Sequence, residues 1–273
     1  MSRKLLPLNP RQMVGLADGN SFYCSCEESM QPWLHGKPII VASNNDGCAI
    51  AMNRLAKKYV KMGDALFQIA DTIREHGIVT FSSNYELYGD MSNRMHSIWA
   101  SFVPNLEIYS IDEAFCDMTG TSSLYGNPVD FAHRLKDEIH TRLGFTVNIG
   151  ISSNRLLAKT ASDFEKPDKV HTLFPSEMEE KFWPLPIEDL FFVGKSTALR
   201  LRSLGITTIG QLAKSDHAMI LSVFKSHGDT IWNYANGIES TPLSHNDAAS
   251  KGFGNSLTLQ YDVTDTAVAK HVL

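Results

Sequence analysis

The stretch Glu107-Ile108-Tyr109-Ser110-Ile111-Asp112-Glu113-Ala114-Phe115-Cys116-Asp117 constrains the chain more than any other. Apolar and polar residues alternate on both sides of an adjacent Asp-Glu pair, which predicts two strands meeting at a tight bend. In a regular strand Asp112 and Glu113 would point to opposite faces, and one carboxylate would be buried without a partner. A bend or bulge lets both face the same side, where divalent cations can neutralise them. An isolated Asp-Glu dipeptide is ordinarily a solvated turn, so its meaning depends on what else converges on it.

Composition narrows the classes. At 273 residues the chain is long enough for two cores. Hydrophobic residues make up 43% and charged residues 20%, which excludes a disordered or fibrous chain. No apolar run approaches the ~18 residues of a membrane span. Met1 to Pro7 carry no apolar signal segment, so the expected location is the cytoplasm. Cysteines at 24, 26, 48 and 116 lack metal or redox spacing and read as buried free thiols. The ten histidines form no paired motif. With 25 basic against 30 acidic residues the net charge is -5, the wrong sign for a module that simply coats nucleic acid. An enzyme that gathers carboxylates and supplies basic contacts locally tolerates that balance.

Met13 to Asp18 reads as a buried strand with Asp18 emerging at its end, followed by a helix capped at Asn20 or Ser21. A carboxylate there could equally cap that helix. Pro38 to Ala42 and Cys48 to Ala51 read as strands joined through the turn signal Asp46-Gly47. Asn53 to Tyr59 reads as a short helix with clustered cations, either a solvated face or a phosphate clamp. A longer helix is expected to open over Phe81 to Tyr88, with Leu87, Met91, Met95 and Ile98 on its core face. Asn127, Pro128 and Gly144 punctuate another helix, with Phe131, Leu135, Ile139 and Leu143 on one face. Thr146 to Ser152 is a strand, and Asn154 starts a helix that Pro167 stops, leaving Lys166 at its C-terminal end. The sum is an α+β fold, a sheet with helices on one face.

From about residue 174 the pattern turns helical. Val193-Gly194-Lys195 separates Ile187 to Leu190 from the helix after Ser196, the arrangement by which a helix-hairpin-helix offers backbone N–H groups to phosphate. Lys251 to Tyr261 looks like a new strand, followed by helical Thr266 to Leu273.

Asp18 at a strand end and Asp112-Glu113 at a hairpin provide three carboxylates that could converge on two Mg²⁺ ions. From spacing alone, polymerase, nuclease and nucleotide cyclase all remain open.

Ser110-Ile-Asp-Glu-Ala-Phe115, preceded in order by Asp18, resembles the Y-family (translesion) DNA polymerases. Ser43 to Cys48, Phe81 to Tyr88 and Asp90 to Arg94 carry the same resemblance. It implies template-directed DNA synthesis past damaged bases, as in SOS-type repair, by transfer from dNTP to a primer 3′-OH on primer-template DNA. Asp18, Asp112, Glu113 and the backbone carbonyl of Gly19 would bind two Mg²⁺ ions. Tyr23 would be a steric gate against the ribose 2′-OH, Phe22 would line the nucleotide pocket, and Lys57 and Lys166 would meet the triphosphate. Without the resemblance, Tyr23 reads as a core aromatic and both lysines as solvated cations. The implied domains are a palm (1–21 and 84–173), small fingers (22–83), a helix-hairpin-helix thumb (174–241), and a linker with the start of an incomplete little finger (242–273). UmuD-like and RecA-like proteins and a sliding clamp enter as partners only through the resemblance; no membrane is involved. The chain departs from the family at Gly19, where a bulkier residue is usual. It departs again at Phe192, which replaces the first hairpin glycine, and it lacks a residue between Tyr59 and Val60. The rival readings are a non-catalytic polymerase-like DNA-binding subunit, an inactive truncated fragment, and a palm-fold cyclase. The three carboxylates tell against the first and the helical segment against the cyclase, while truncation could produce the same phenotype as the first.

Overall fold

A computed structural model describes residues 12–43, 46–239, 241–243, 252, 254, 259 and 261–272. Met1 to Pro7, Asn44-Asn45 and most of the strand expected over Lys251 to Tyr261 lie outside the described residues.

In chain order the elements are β1 (Val14–Gly19), α1 (Phe22–Met30), β2 (Ile39–Ala42), β3 (Ala49–Met52), α2 (Ala70–Glu75), β4 (Val79–Ser82) and α3 (Tyr85–Ala100). Then follow β5 (Leu106–Ile108), β6 (Glu113–Asp117), α4 (Ser122–Tyr125), α5 (Pro128–Leu143), β7 (Val147–Ser152), α6 (Arg155–Ser162) and β8 (Val170–Thr172). The remainder is helical: α7 (Met178–Lys181), α8 (Lys195–Ser203), α9 (Ile209–Ala213), α10 (His217–Phe224), α11 (Ser226–Ala235) and α12 (Thr266–Val272).

The main sheet runs β5-β6-β1-β7-β8, with β1 antiparallel to both β6 and β7 and β8 parallel to β7. A smaller sheet, β3-β2-β4, pairs β2 antiparallel with β3 and parallel with β4. All six residues of β1 and of β7 are buried, because helices cover both faces of the sheet. Strand alternation sorts the side chains. Ala17, Ala114, Cys116, Val147, Ile149 and Ile151 share a core with Met95 and Trp99 of α3 and Phe131, Leu135 and Ile139 of α5. Val14, Leu16 and Phe115 face the other way and pack on Ala158 of α6. Helices on both faces correct the one-face expectation.

Gly150 explains how α6 gets so close. A Cβ built there would sit 2.1 Å from the Ala158 carbonyl oxygen and 2.3 Å from the Ser162 nitrogen, so only hydrogen fits between strand and helix. On its other side α6 gives Leu157 and Ala161 to the helical core of Phe182, Leu201, Ile209, Leu212 and Ile231. One helix thus belongs to two cores.

Several expected boundaries move for local reasons. Phe81 and Ser82 belong to β4, and α3 starts at Tyr85 because the Leu87 N–H donates to the Asn84 side chain. The cationic helix over 53–59 shrinks to a 3₁₀ turn at Ala56–Lys58. There the Asn53 side chain accepts from both Ala56 N and Ile39 N, tying the segment to the start of β2. Ser21 occupies the N-cap of α1 in left-handed backbone, φ 47°, without a side-chain cap bond, and the Asn20 side chain is engaged elsewhere, by Asn148, Thr146 and Asp168. Ile187–Asp189 is a 3₁₀ turn, not a helix. The α5 punctuation holds as read: Asn127 caps with its side chain, and Gly144 closes the helix at φ 78°. All four cysteines are free, with Cys48 only partly buried. Among the described residues no helix is long and apolar enough to cross a membrane.

Candidate active site

The strand register assembles the carboxylates. Asp18, the next-to-last residue of β1, lies directly across from Glu113, the first residue of β6. Asp112 lies just outside β6, in the bend that the alternation around 107–117 predicts. The Gly19 N–H donates to the Asp112 carbonyl at 2.9 Å, and Tyr109 and Ser110 N–H both donate to the Glu113 carbonyl. The bend does bring the two acids to one side. Ser110 Oγ stands 2.9 Å from Asp112 Oδ1 and 3.1 Å from Glu113 Oε2, so one hydroxyl touches both carboxylates.

Two ammonium groups reach the cluster from α6 and the loop after it. Lys159 Nζ lies 2.5 Å from Glu113 Oε1. Lys166 Nζ binds Asp18 Oδ2 and, at 2.8 Å, Asp163 Oδ1. Lys166 sits four residues beyond the end of α6, not at its C-terminus, because the helix closes at Ser162. Burial pushes the Asp18 carboxyl up to about 6; Lys166 opposes the rise, while Glu113 and Asp112 add to it. Burial also raises Asp112, with Ser110 opposing and Glu113 reinforcing. For Lys159 and Lys166 burial works against the charge, but the neighbouring acids outweigh it and both titrate above the ordinary lysine value. The cluster is therefore a place where positive charge is called for.

On the α1 side a cleft of about 260 Å³ is lined by Gly19, Phe22, Tyr23, Lys57, Met62 and Asp112, among others. The Tyr23 ring stacks on Tyr88 at 4.4 Å and meets Tyr85 edge-on at 6.1 Å. Tyr88 is fully buried and its hydroxyl donates to buried Glu27 at 2.8 Å, which fixes the surface Tyr23 leans on. Burial, then Tyr85 and Asp112, raise the Tyr23 phenol above its usual value, so it stays neutral. Phe22 is buried, packed edge-on against Phe145 at 5.7 Å. A Cβ at Gly19 would lie 3.2 Å from the Phe22 ring and 3.3 Å from the Asp112 side chain, so these two fill the space of the missing side chain.

The structure thus brings Asp18, Asp112 and Glu113 to one end of the sheet, and Gly19, Phe22, Tyr23, Lys57 and Asp112 into one cleft. Lys166 is not among the cleft's lining residues; it faces Asp18 and Asp163. Among the described residues no three His, Cys, Asp or Glu side chains are grouped as a metal cage. Lys159 was not singled out in the sequence. Its signal was the i, i+4 pair with Arg155, whose guanidinium binds Glu107 at 2.8 Å, so both cations of one helix face meet acids of the hairpin.

A strand-end acid across from a hairpin acid pair, in a five-stranded sheet flanked by a smaller sheet and a helical core, defines a recognisable class. Residues 17–163, more than half the chain, match the impB/mucB/samB family. The chain is 42% identical over 229 residues to DNA polymerase IV of Clostridium acetobutylicum, covering 83% of this chain and 57% of that protein. It is 40% identical over 219 residues to protein UmuC of Salmonella typhimurium, covering 78% and 52%. A solved Y-family DNA polymerase chimera of Dbh and Dpo4 superposes with a TM-score of 0.77 at 25% identity, over 85% of this chain and 69% of that one. The chain belongs to the impB/mucB/samB family, and the Y-family resemblance carried by Ser110 to Phe115 is borne out. It spans a little over half the length of these two curated relatives.

Proposed function

We propose that the chain carries the catalytic core of a template-directed translesion DNA polymerase. The observation that carries this reading is the meeting of Asp18, Asp112 and Glu113 at the sheet end beside a cleft holding Tyr23 and Lys57. Relatives named DNA polymerase support DNA and dNTP as substrates.

The donor set fits a hard divalent cation. It is all oxygen, its Asp carboxyls are held back from ionising by burial, and lysine ammoniums already supply counter-charge. Asp18, Asp112, Glu113 and the Gly19 carbonyl would hold Mg²⁺, two ions in this reading. Bound there, Mg²⁺ would neutralise the phosphoryl oxygens and ease ionisation of the attacking hydroxyl.

The chain's own residues do the rest. Ser110 holds Asp112 and Glu113 to one side, and the Gly19 N–H fixes the Asp112 backbone. Tyr23, braced by Tyr88, blocks the sugar's 2′ position and so favours dNTP. Phe22 forms the pocket floor, while Lys57 and Lys166 neutralise the triphosphate, Lys166 exchanging Asp18 for phosphate. The reaction is attack of a primer 3′-OH on the α-phosphate with release of pyrophosphate, and the protein contributes positioning and electrostatics. In this reading residues 1–21 and 84–173 are palm, 22–83 fingers and 174–241 thumb, with 242–273 leading into a little finger. Sliding-clamp, UmuD-like and RecA-like partners belong to the same proposal.

Primer extension with Mg²⁺ and dNTPs tests it. Asp112→Ala is expected to lower extension by about a thousandfold or more while leaving the fold intact by circular dichroism. Wild-type extension that survives Asp112→Ala would sink the assignment.

A further inference from the structure

Glu113 is 15% exposed, and a carboxylate this enclosed does not tolerate losing its counter-charge. Lys159 supplies it through Oε1, at 2.5 Å, leaving Oε2 to accept from Ser110. Lys159 lines two cavities, one of about 210 Å³ beside Tyr109, Phe115 and Phe192, the other of about 370 Å³ beside Asp163, Phe164 and Asp189, with Phe191 bordering both. Its Nζ also lies 5.6 Å from the centre of the Tyr109 ring, a second surface that favours a cation.

We propose that Lys159 is a positioning residue acting as a resident counter-ion. It holds Glu113 in place until a divalent cation takes the carboxylate, then withdraws toward the adjoining cavities. The inference rests on the metal-binding reading of the carboxylates. Three observations carry it: the ammonium holds one oxygen of a carboxylate that this reading gives to the cation, that carboxylate is largely enclosed, and two cavities adjoin the side chain that must move. Nothing in it requires Lys159 to touch substrate.

Resident ammonium and incoming cation compete for one carboxylate's charge, so removing the first strengthens binding of the second. The test is Mn²⁺ titration of the 273-residue chain by calorimetry or electron paramagnetic resonance, without DNA or nucleotide. Lys159→Met is expected to bind Mn²⁺ about tenfold more tightly than wild type, and Lys159→Arg within about twofold of it. Extension by Lys159→Met should fall even as its Mn²⁺ affinity rises. A purely structural role would weaken both together. Lys159→Gln repeats the comparison if the Met variant fails to fold.

Mn²⁺ affinity that is unchanged or weaker in folded Lys159→Met overturns the proposal. An Asp18→Asn, Asp112→Asn double variant separates the two levels. Binding lost in that variant but indifferent to Lys159 overturns this inference alone. Binding absent in wild type, or unaffected by the double variant, overturns the metal-site reading and this proposal with it.

Discussion

The sheet-bearing part of the chain, residues 14–172, and the helical part, residues 175–235, differ in which non-glycine residues they place in left-handed backbone. In the first, the described non-glycine residues with left-handed φ are Ser21, Asp46 and Asp168, small polar residues that adopt it at modest cost. In the second they are Phe192, at φ 72°, and Lys225, at φ 58°. Phe192 is also 57% exposed, and its ring meets Phe191 at 5.0 Å and Tyr234 at 5.9 Å, edge to face. Both parts use glycine for close approach, at Gly150 in the sheet and at Gly210 and Gly228 among the helices, but the loop before α8 takes its left-handed turn with a phenylalanine held by neighbouring rings. Local sequence and local structure agree over the sheet and conflict at Phe192 and Lys225.

Breaking that agreement should cost most at Gly150. Gly150→Ala is expected to destabilise by about 3 kcal/mol or more, because the methyl would land on backbone of α6 rather than on a movable side chain. Urea unfolding measures it, and a loss below about 1 kcal/mol would mean strand and helix are not so closely packed.

The buried acids of the sheet come next. The Asp18 carboxyl is raised from 3.8 to about 6 in the folded chain, so the folded state holds the proton more tightly than the unfolded one. Its contribution to stability is full below the unfolded value and lost as pH rises through the folded one. Without metal, the unfolding free energy should fall by up to about 1 kcal/mol per pH unit between the two. Asp18→Asn should flatten that slope, and equal slopes in both proteins would refute the assignment.

A comparison of the two aromatic clusters is the third. Tyr23 rests on a ring anchored by a buried hydroxyl–carboxylate bond, so Tyr23→Ala should raise rNTP over dNTP incorporation by about tenfold. Unchanged discrimination in competition assays would remove Tyr23 from the sugar site. The smallest effect is expected at Phe192, where Phe192→Gly relieves the left-handed backbone but forfeits the ring contacts. A net gain of about 0.5 kcal/mol is expected by thermal unfolding. A loss would mean that the cluster outweighs the strain.

What the sequence disclosed divides instead by range, and both sides of that division fall within the sheet-bearing part. The strand ending in Asp18, the bend at Asp112 and the capped helix α5 were legible because alternation, a bend and cap residues are local signals. The cross-strand placement of Asp18 against Glu113 was legible only through the family motif, since register depends on long-range pairing. Strands β4 and β8 were missed: each is short and enters its sheet by parallel pairing, which leaves no hairpin signal. The second helical layer was missed because nothing near Gly150 says that its neighbour is a helix eight residues later. The Arg155–Lys159 spacing was local, but what Lys159 meets was not, as its partner is 46 residues upstream.

Gly150 also has a consequence for tuning. α6 rests on bare backbone there, so its depth over β1 and β7 is set by a missing methyl group rather than by an adjustable side chain. Arg155 and Lys159 ride on that helix, and Lys166 follows it. Their reach to Glu107, Glu113 and Asp18 is in effect a gauge length, calibrated at a residue that touches none of them. Drift at this one position would detune three ion pairs together, and no change at any single lysine could restore them all.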